Sequence, residues 1–380
     1  MDFQLSKEQR LLQKTVKEFV NKEIEPAAAQ TDRSGRISDA LIKKMVEIHL
    51  PGMMVPRQYG GNESGLLDCA LSIEQLSYSG CGAWWYAAFT NSLPDCIATF
   101  GTRDQKEKYL APVVHGEIVP SIQFTEDDTG SDPDMLQTRA LPDDSGYTVN
   151  GMKRFSTFGA RPGYAVLYTR DEAEKCTAFV MEKSGPGYST STPYELMGSG
   201  GMEAVDVFLE NVRLPASSML GDKGEGFAIL LYWIAIEKIL QCAACVGIAQ
   251  AAVDEAVRYA ENRMVRGKPQ HRLQGIRFMM AEMYAKLQPC RWITYRTAFL
   301  KDTEDATWLN EAAAAKLFVV PAAMEIVDTA RKIHGAYGYT KESKIERLYR
   351  AVAGASAIAV SLEVNRSIVA NALIKSRRRK

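Results

Sequence analysis

The chain has 380 residues, and 46 Lys and Arg balance 46 Asp and Glu, so the formal net charge is zero. That balance gives no general electrostatic pull toward nucleic acid, and no nucleic-acid partner is expected. A hydrophobic fraction of 46% excludes extensive disorder, and the length supports a sizeable core in two or three domains or one large one.

No apolar run of about 18 residues free of charge stands out, so no membrane span is expected. The charged stretch from Met1 to Glu8 has no apolar signal core. Seven cysteines, at positions 69, 81, 96, 176, 242, 245 and 290, are scattered rather than clustered, which fits a reducing cytoplasm better than a disulfide framework. Cys242 and Cys245 form a CxxC inside an apolar helical stretch, where core packing is the simpler reading than metal or redox chemistry. The basic run Arg377, Arg378, Arg379 and Lys380 reads as a solvated tail.

The first 120 residues read as helix. Ser6 and Gln9 have capping-box spacing, and Leu12, Val16, Phe19 and Val20 share one face. Pro26 marks the expected end of that helix. Leu41 to Leu50, Leu66 to Tyr78, Ala87 to Phe100 and Arg103 to His115 are further helices, with Pro94 a kink or break in the third. Turn signals then become dense. Pro142-Asp143-Asp144-Ser145-Gly146 separates two extended runs, and Asn150-Gly151 is the strongest local hairpin signal. Strands are expected over Tyr164–Thr169, Thr177–Glu182 and Val205–Leu209.

Beyond Gly221, Gly224 and Gly226 the chain returns to helix: Phe227–Arg263, Leu273–Leu300, Trp308–His334 and Ser356–Ile374. The fold class is therefore multidomain α+β. An N-terminal α-helical domain covers residues 1–120, a central β domain 121–225, and a C-terminal four-helix bundle 226–380.

Several chemistries lack their motifs. No GxGxxG follows an expected strand, and Walker A, GxSxG and HExxH are absent. The four His are far apart, and no metal site is expected.

Four segments carry a resemblance. Residues 125–132, TEDDTGSD, resemble the TEPGAGSD signature of flavin-dependent acyl-CoA dehydrogenases. Residues 150–157, NGMKRFST, resemble the NGxKxWIT segment of that family. Residues 263–268, RMVRGK, resemble RxxFGK, and HGAYGYT at 334–340 resembles the GGxGY turn. The segments span the chain in the family order, so an acyl-CoA dehydrogenase-like fold with FAD is implied.

The resemblance assigns roles. Thr125 would bond the isoalloxazine ring and Ser131 the phosphopantetheine arm of the ligand. Phe155 would lie on the flavin where the family usually has Trp, and Thr157 would meet the ring edge. Arg263 would reach the FAD diphosphate of a neighbouring subunit, with Gln274, Gly335 and Gly338 on the same surface, and Ser361 stands where the family has a Thr near FAD. Val265 and Arg266 depart from the family at that second surface. The bland alternatives are a turn at Ser131, strand core at Phe155 and an exposed helix-end arginine at Arg263.

The implied reaction takes a proton from the α carbon of a thioester and moves the β hydride to flavin, which needs a base. The common family base falls on Ala359, so the usual carboxylate is absent. A second family solution, as in isovaleryl-CoA dehydrogenase, falls on Glu237 within the apolar run 234–240, and Lys238 stands where some members place a CoA-contacting Arg. A third solution, for alicyclic substrates, points to Asp95. If Trp85 and Phe89 line the pocket floor, a short branched or cyclic acyl group is expected. Enoyl reduction, a carrier-protein-linked acyl group and a non-enzymatic flavoprotein scaffold are the alternatives. Family resemblance also implies an electron-transfer flavoprotein as redox partner and a homotetramer.

Overall fold

The structure, a computed structural model, describes residues 4–144 and 146–378. Helix α1, Lys7–Phe19, opens on the expected capping box: the Gln9 N–H donates to Ser6 Oγ at 3.1 Å and the Ser6 N–H to Gln9 Oε1 at 3.0 Å. Pro26 does not end the helical path. A π-helical turn, Val20–Ile24, leads directly into α2, Glu25–Ser34, and Pro26 sits in the first turn of α2. A helix start needs no intrahelical donor there, so proline is tolerated.

Helices α3, Asp39–Glu47, α4, Leu66–Ser77, α5, Ala83–Phe100, and α6, Arg103–Val114, complete the N-terminal part. Pro94 lies inside α5 without breaking it. The Thr90 carbonyl, which Pro94 deprives of an intrahelical donor, accepts from the Gly52 N–H at 3.0 Å. The lost bond is thus remade from a neighbouring loop.

The strands are β1, Ser121–Gln123, β2, Arg139–Asp143, β3, Gly146–Thr157, β4, Tyr164–Arg170, β5, Cys176–Glu182, β6, Tyr188–Thr190, β7, Ala204–Leu214, and β8, Met219–Leu220. Their order is β6-β7-β3-β2-β4-β5-β8, with β1 parallel to β4. Along β4, Tyr164, Val166 and Tyr168 face the core shared with the helices, whereas Ala165 and Leu167 face a separate core on the other side of the sheet.

Asn150-Gly151 is not a hairpin turn. Both residues lie within β3, and the pairing with β7 shifts register between Val149 and Gly151. Gly151 adopts φ 155°, and a Cβ there would lie 2.4 Å from Thr138 Oγ1. Its glycine therefore serves a bulge and a close approach. The chain reverses near the other expected turn, where Asp143 pairs with Gly146. Ser145 of that turn lies outside the described residues, as do Arg379 and Lys380 of the basic run.

Helix α7, Gly226–Asn262, is followed by the small hairpin β9, Met264–Val265, and β10, Lys268–Pro269. Then come α8, Gln274–Asp302, α9, Trp308–His334, α10, Lys344–Ala353, and α11, Leu362–Arg378. The expected helix over Ser356–Ile374 starts only at Leu362. Ala359 and Val360 hold φ 52° and 74°, which no right-handed helix accepts. α10 has no counterpart in the sequence reading.

By length and hydropathy α7 could cross a membrane, yet 89% of its most apolar window is buried in the protein, against α4, α5, α8 and α9. Its first half belongs to the core shared with α5 and the sheet, and its second half to the core of the bundle. α7 therefore carries residues such as Glu237 from one core to the other.

Candidate active site

Two segments of the β region are tied together at the end of β1. The Arg154 N–H donates to the Thr125 carbonyl at 2.7 Å, so the half-buried Thr125 is fixed beside β3. The Lys153 ammonium, wholly buried, lies 2.6 Å from Glu126 Oε1 and donates to the Tyr168 carbonyl at 2.7 Å. Glu126 also accepts from the amides of Gln137 (2.6 Å) and Thr138 (3.0 Å). Burial raises the Glu126 carboxyl, but Lys153 and these donors outweigh it and hold the group below its ordinary value.

Phe155 is not strand core. It is 53% exposed, holds φ 52°, and stacks on Tyr194 with ring centroids 4.7 Å apart. Two residues along, Thr157 is buried and its carbonyl accepts from Ser121 Oγ at 2.8 Å. The buried hydroxyls of Thr129 and Ser156 have no hydrogen-bond partner among the described residues. Ser131 is exposed, just before a 3-10 turn at Pro133–Met135.

Glu237 is 1% exposed on α7, and among the described residues neither carboxylate oxygen has a hydrogen-bond partner. Burial pushes its carboxyl up to about 8. The Lys316 charge opposes this, as does the Ser92 hydroxyl, which stays outside hydrogen-bonding geometry. The surroundings are aromatic. Phe89 packs edge-on against Trp85 (6.0 Å), Phe158 (5.8 Å) and Trp233 (5.9 Å), and Trp233 Nε1 donates to Ser92 Oγ at 3.1 Å. Trp85 and Phe89 are both 2% exposed. Lys238 is buried too, and desolvation lowers its ammonium to about 8.

Asp95 is held differently. Its oxygens accept from Tyr232 Oη at 2.7 Å and lie 3.2 Å from Lys301 Nζ. Asp95 is a satisfied carboxylate, whereas Glu237 is an unsatisfied one. The CxxC thiols of Cys242 and Cys245 are buried and pushed up by desolvation, Cys245 to about 12, which suits core packing rather than reactivity.

The remaining candidates sit at the bundle surface. Arg263 and Gln274 are exposed, the first at the end of α7 and the second at the start of α8. Gly335 is exposed at φ 59° with nothing within 4 Å of a built Cβ, while Gly338 is packed on the Arg331 carbonyl. Ser361 Oγ accepts from the Val364 N–H at 3.4 Å and so caps α11. Among the described residues no hydrogen bond, ion pair or ring contact joins Arg263, Gln274, Gly335 or Gly338 to Thr125 or Phe155. His334 stacks on Tyr259 at 4.3 Å and bonds the Ala330 carbonyl, a structural histidine.

A cleft of about 1370 Å³ opens between α2, α3 and the loop before β7. Of the residues above only Tyr194 lines it, and two of its ion pairs are Arg161 with Glu203 at 2.7 Å and Arg350 with Asp32 at 2.6 Å.

Sequence reasoning missed Lys153, Glu126 and Lys316. Glu126 and Lys153 lie inside the two quoted motifs, so that pair was within reach. Lys316 lies in an Ala-rich helical run, with a partner segment more than forty residues away, and nothing local announces it.

Three family models match the chain: acyl-CoA dehydrogenase N-terminal domain over residues 6–117, middle domain over 121–212 and C-terminal domain over 224–374. The chain is 34% identical over 383 residues to the probable acyl-CoA dehydrogenase YngJ of Bacillus subtilis, covering 99% of this chain and 100% of that protein. It is 32% identical over 381 residues to acryloyl-CoA reductase (NADH) of Anaerotignum propionicum, covering 99% and 96%. Butyryl-CoA dehydrogenase from Megasphaera elsdenii shares the fold at a TM-score of 0.95 and 30% identity, covering 98% of this chain and 100% of that one.

Proposed function

The chain belongs to the acyl-CoA dehydrogenase family of FAD-dependent oxidoreductases, and on that footing we propose that it dehydrogenates a short acyl-CoA with Glu237 as the base. The observation that carries this is the buried, unpartnered carboxylate of Glu237 beside a cluster of aromatic rings. An unpaired buried carboxyl costs stability and is kept where it has chemical work to do.

The residues fit the cofactor. An exposed aromatic face at Phe155, the neighbouring Thr125 and Thr157, and unpartnered hydroxyls at Ser156 and Thr129 suit a flat, hydrogen-bonding ring system. Bound FAD supplies the acceptor for the hydride that leaves the β carbon. Thr125, Phe155 and Thr157 hold the ring; Arg263, Gln274, Gly335 and Gly338 of a neighbouring chain and Ser361 complete the cofactor surface. Ser131 and Lys238 orient the CoA arm. Glu237 removes the α proton as the Cα–Cβ double bond forms.

Trp85 and Phe89 close the acyl end, so short, branched or cyclic acyl groups fit better than long ones. Asp95, with both oxygens engaged, is the weaker base. Exposed Phe278, Trp292 and Phe299 recur at multiples of seven along α8 and fall on one face, which supports a homotetramer built through the bundle. An electron-transfer flavoprotein is the redox partner.

A second reading has its own observation. A carboxyl held near 8 keeps its proton at neutral pH, which suits delivery of that proton to the α carbon in enoyl-CoA reduction. Anaerobic titration of the flavin-loaded protein with short, branched and alicyclic acyl-CoAs tests the proposal. Bleaching of the flavin by a short ester is expected. A flavin that every saturated ester leaves unchanged, but that an enoyl-CoA reoxidises after chemical reduction, would reverse the direction.

A further inference from the structure

Lys316 lies wholly inside the protein on α9. Its ammonium donates to three successive carbonyls, those of Ile358, Ala359 (3.1 Å) and Val360 (2.7 Å). An ammonium has three N–H groups, so its donors are fully spent on one turn. Ala359 at φ 52° and Val360 at φ 74° are left-handed. That conformation is costly for any side chain, and most for a β-branched one. Asn365, also buried, holds the same turn, its Nδ2 donating to the carbonyls of Ser361 (2.8 Å) and Val360 (3.3 Å).

Ile358 and Val360 in turn pack on the large core shared by α5, the sheet and the first half of α7, which also holds Trp85, Phe89 and Ile236. The Lys316 charge also acts on Glu237, although no hydrogen bond joins them.

We infer that Lys316 is a positioning residue: it clamps the strained turn Ile358–Val360 against the core from which the acyl end of the active site is built. The inference rests on the proposed role of Glu237. The clamp does the ordering that a glycine in the turn would otherwise make unnecessary. Removing the ammonium leaves the Ile358 and Ala359 carbonyls without this donor and only Asn365 to hold the turn left-handed.

The test uses the flavin-loaded enzyme and the variants Lys316→Met, Lys316→Met/Val360→Gly and Lys316→Met/Val360→Ala. Hydrogen exchange of the amides at 357–365 reads the clamp, and kcat and KM with a short acyl-CoA read the positioning. Lys316→Met should speed exchange in that segment by about tenfold or more, and lower kcat by about tenfold with KM nearly unchanged. Glycine at 360 should restore part of both, and alanine, which loses the same packing without gaining left-handed freedom, should not. Unchanged exchange in Lys316→Met, or equal restoration by glycine and alanine, overturns the clamp.

Should Lys316→Met fail to fold, Val360→Gly and Val360→Ala with Lys316 intact decide the matter. The glycine variant should melt no lower than the alanine one, and the reverse order would show that the turn carries no strain. A wild-type enzyme inactive on every acyl-CoA would sink the proposed function, while exchange and melting would still judge the clamp.

Discussion

The buried ammonium of Lys153 sits 2.6 Å from Glu126 Oε1 and so binds the loop after β1, which carries Thr125, to β3, which carries Phe155 and Thr157. The proposed flavin contacts therefore depend on an ion pair that touches no ligand. Removing one partner of such a pair leaves a charge without its counterion, at a cost of about 3–5 kcal/mol.

Lys153→Met should lose about that much stability in urea unfolding, and flavin content should fall with it. The sign with pH follows from Glu126, which the native protein holds below its ordinary 4.5. Its contribution is present above that value and is lost as pH falls through the native one. The deficit of Lys153→Met should therefore shrink at acidic pH. A deficit that stays constant as pH falls from 4.5 through the native Glu126 value would show that the pair is not its source.

Glu237 runs the other way. Its carboxyl is raised from 4.5 to about 8, so the native state favours the protonated form. That contribution is whole below the unfolded value and is lost as pH rises toward 8. Wild-type stability relative to Glu237→Gln should fall between pH 5 and 8, measured by denaturant unfolding at each pH. In the dehydrogenase direction kcat/KM should rise with pH through an inflection near 8, because the base must be ionised. A profile flat over that range would remove Glu237 from the rate.

Arg263 is proposed to serve the neighbouring subunit. Arg263→Ala and Glu237→Gln should each be inactive on its own, the first through weakened FAD binding. Mixed assemblies formed by co-expressing the two should recover activity, because one class of site then has an intact Glu237 and an Arg263 donated by its neighbour. A site complete within one chain would give no recovery. Light scattering on the same samples reports the assembly.

Much of the fold is written locally. The Ser6–Gln9 capping box, the short apolar, aromatic-rich run of β4 and the apolar length of α7 specify elements from neighbouring residues alone. The errors occur where distant contacts override local signals. Pro94 stays in a helix because Gly52 supplies the missing donor. Gly151 serves a bulge against Thr138 rather than a turn. The Ala359–Val360 turn is left-handed although neither residue is glycine, because Lys316 and Asn365 hold it. Glu237 was legible as a carboxylate stranded among apolar residues. Lys316 was not, because its three acceptors are backbone atoms and leave no mark in the sequence.

The most direct measurement is anaerobic rapid mixing of flavin-loaded wild type and Glu237→Gln with a short acyl-CoA, following the visible flavin band. Both proteins should bind the ester and perturb the spectrum. Wild type should then bleach, and the variant should bleach slower by about 10²–10⁴-fold, the usual worth of a positioned base. Bleaching of Glu237→Gln at the wild-type rate would contradict the account and return the search for the base to Asp95 or to a group outside this chain.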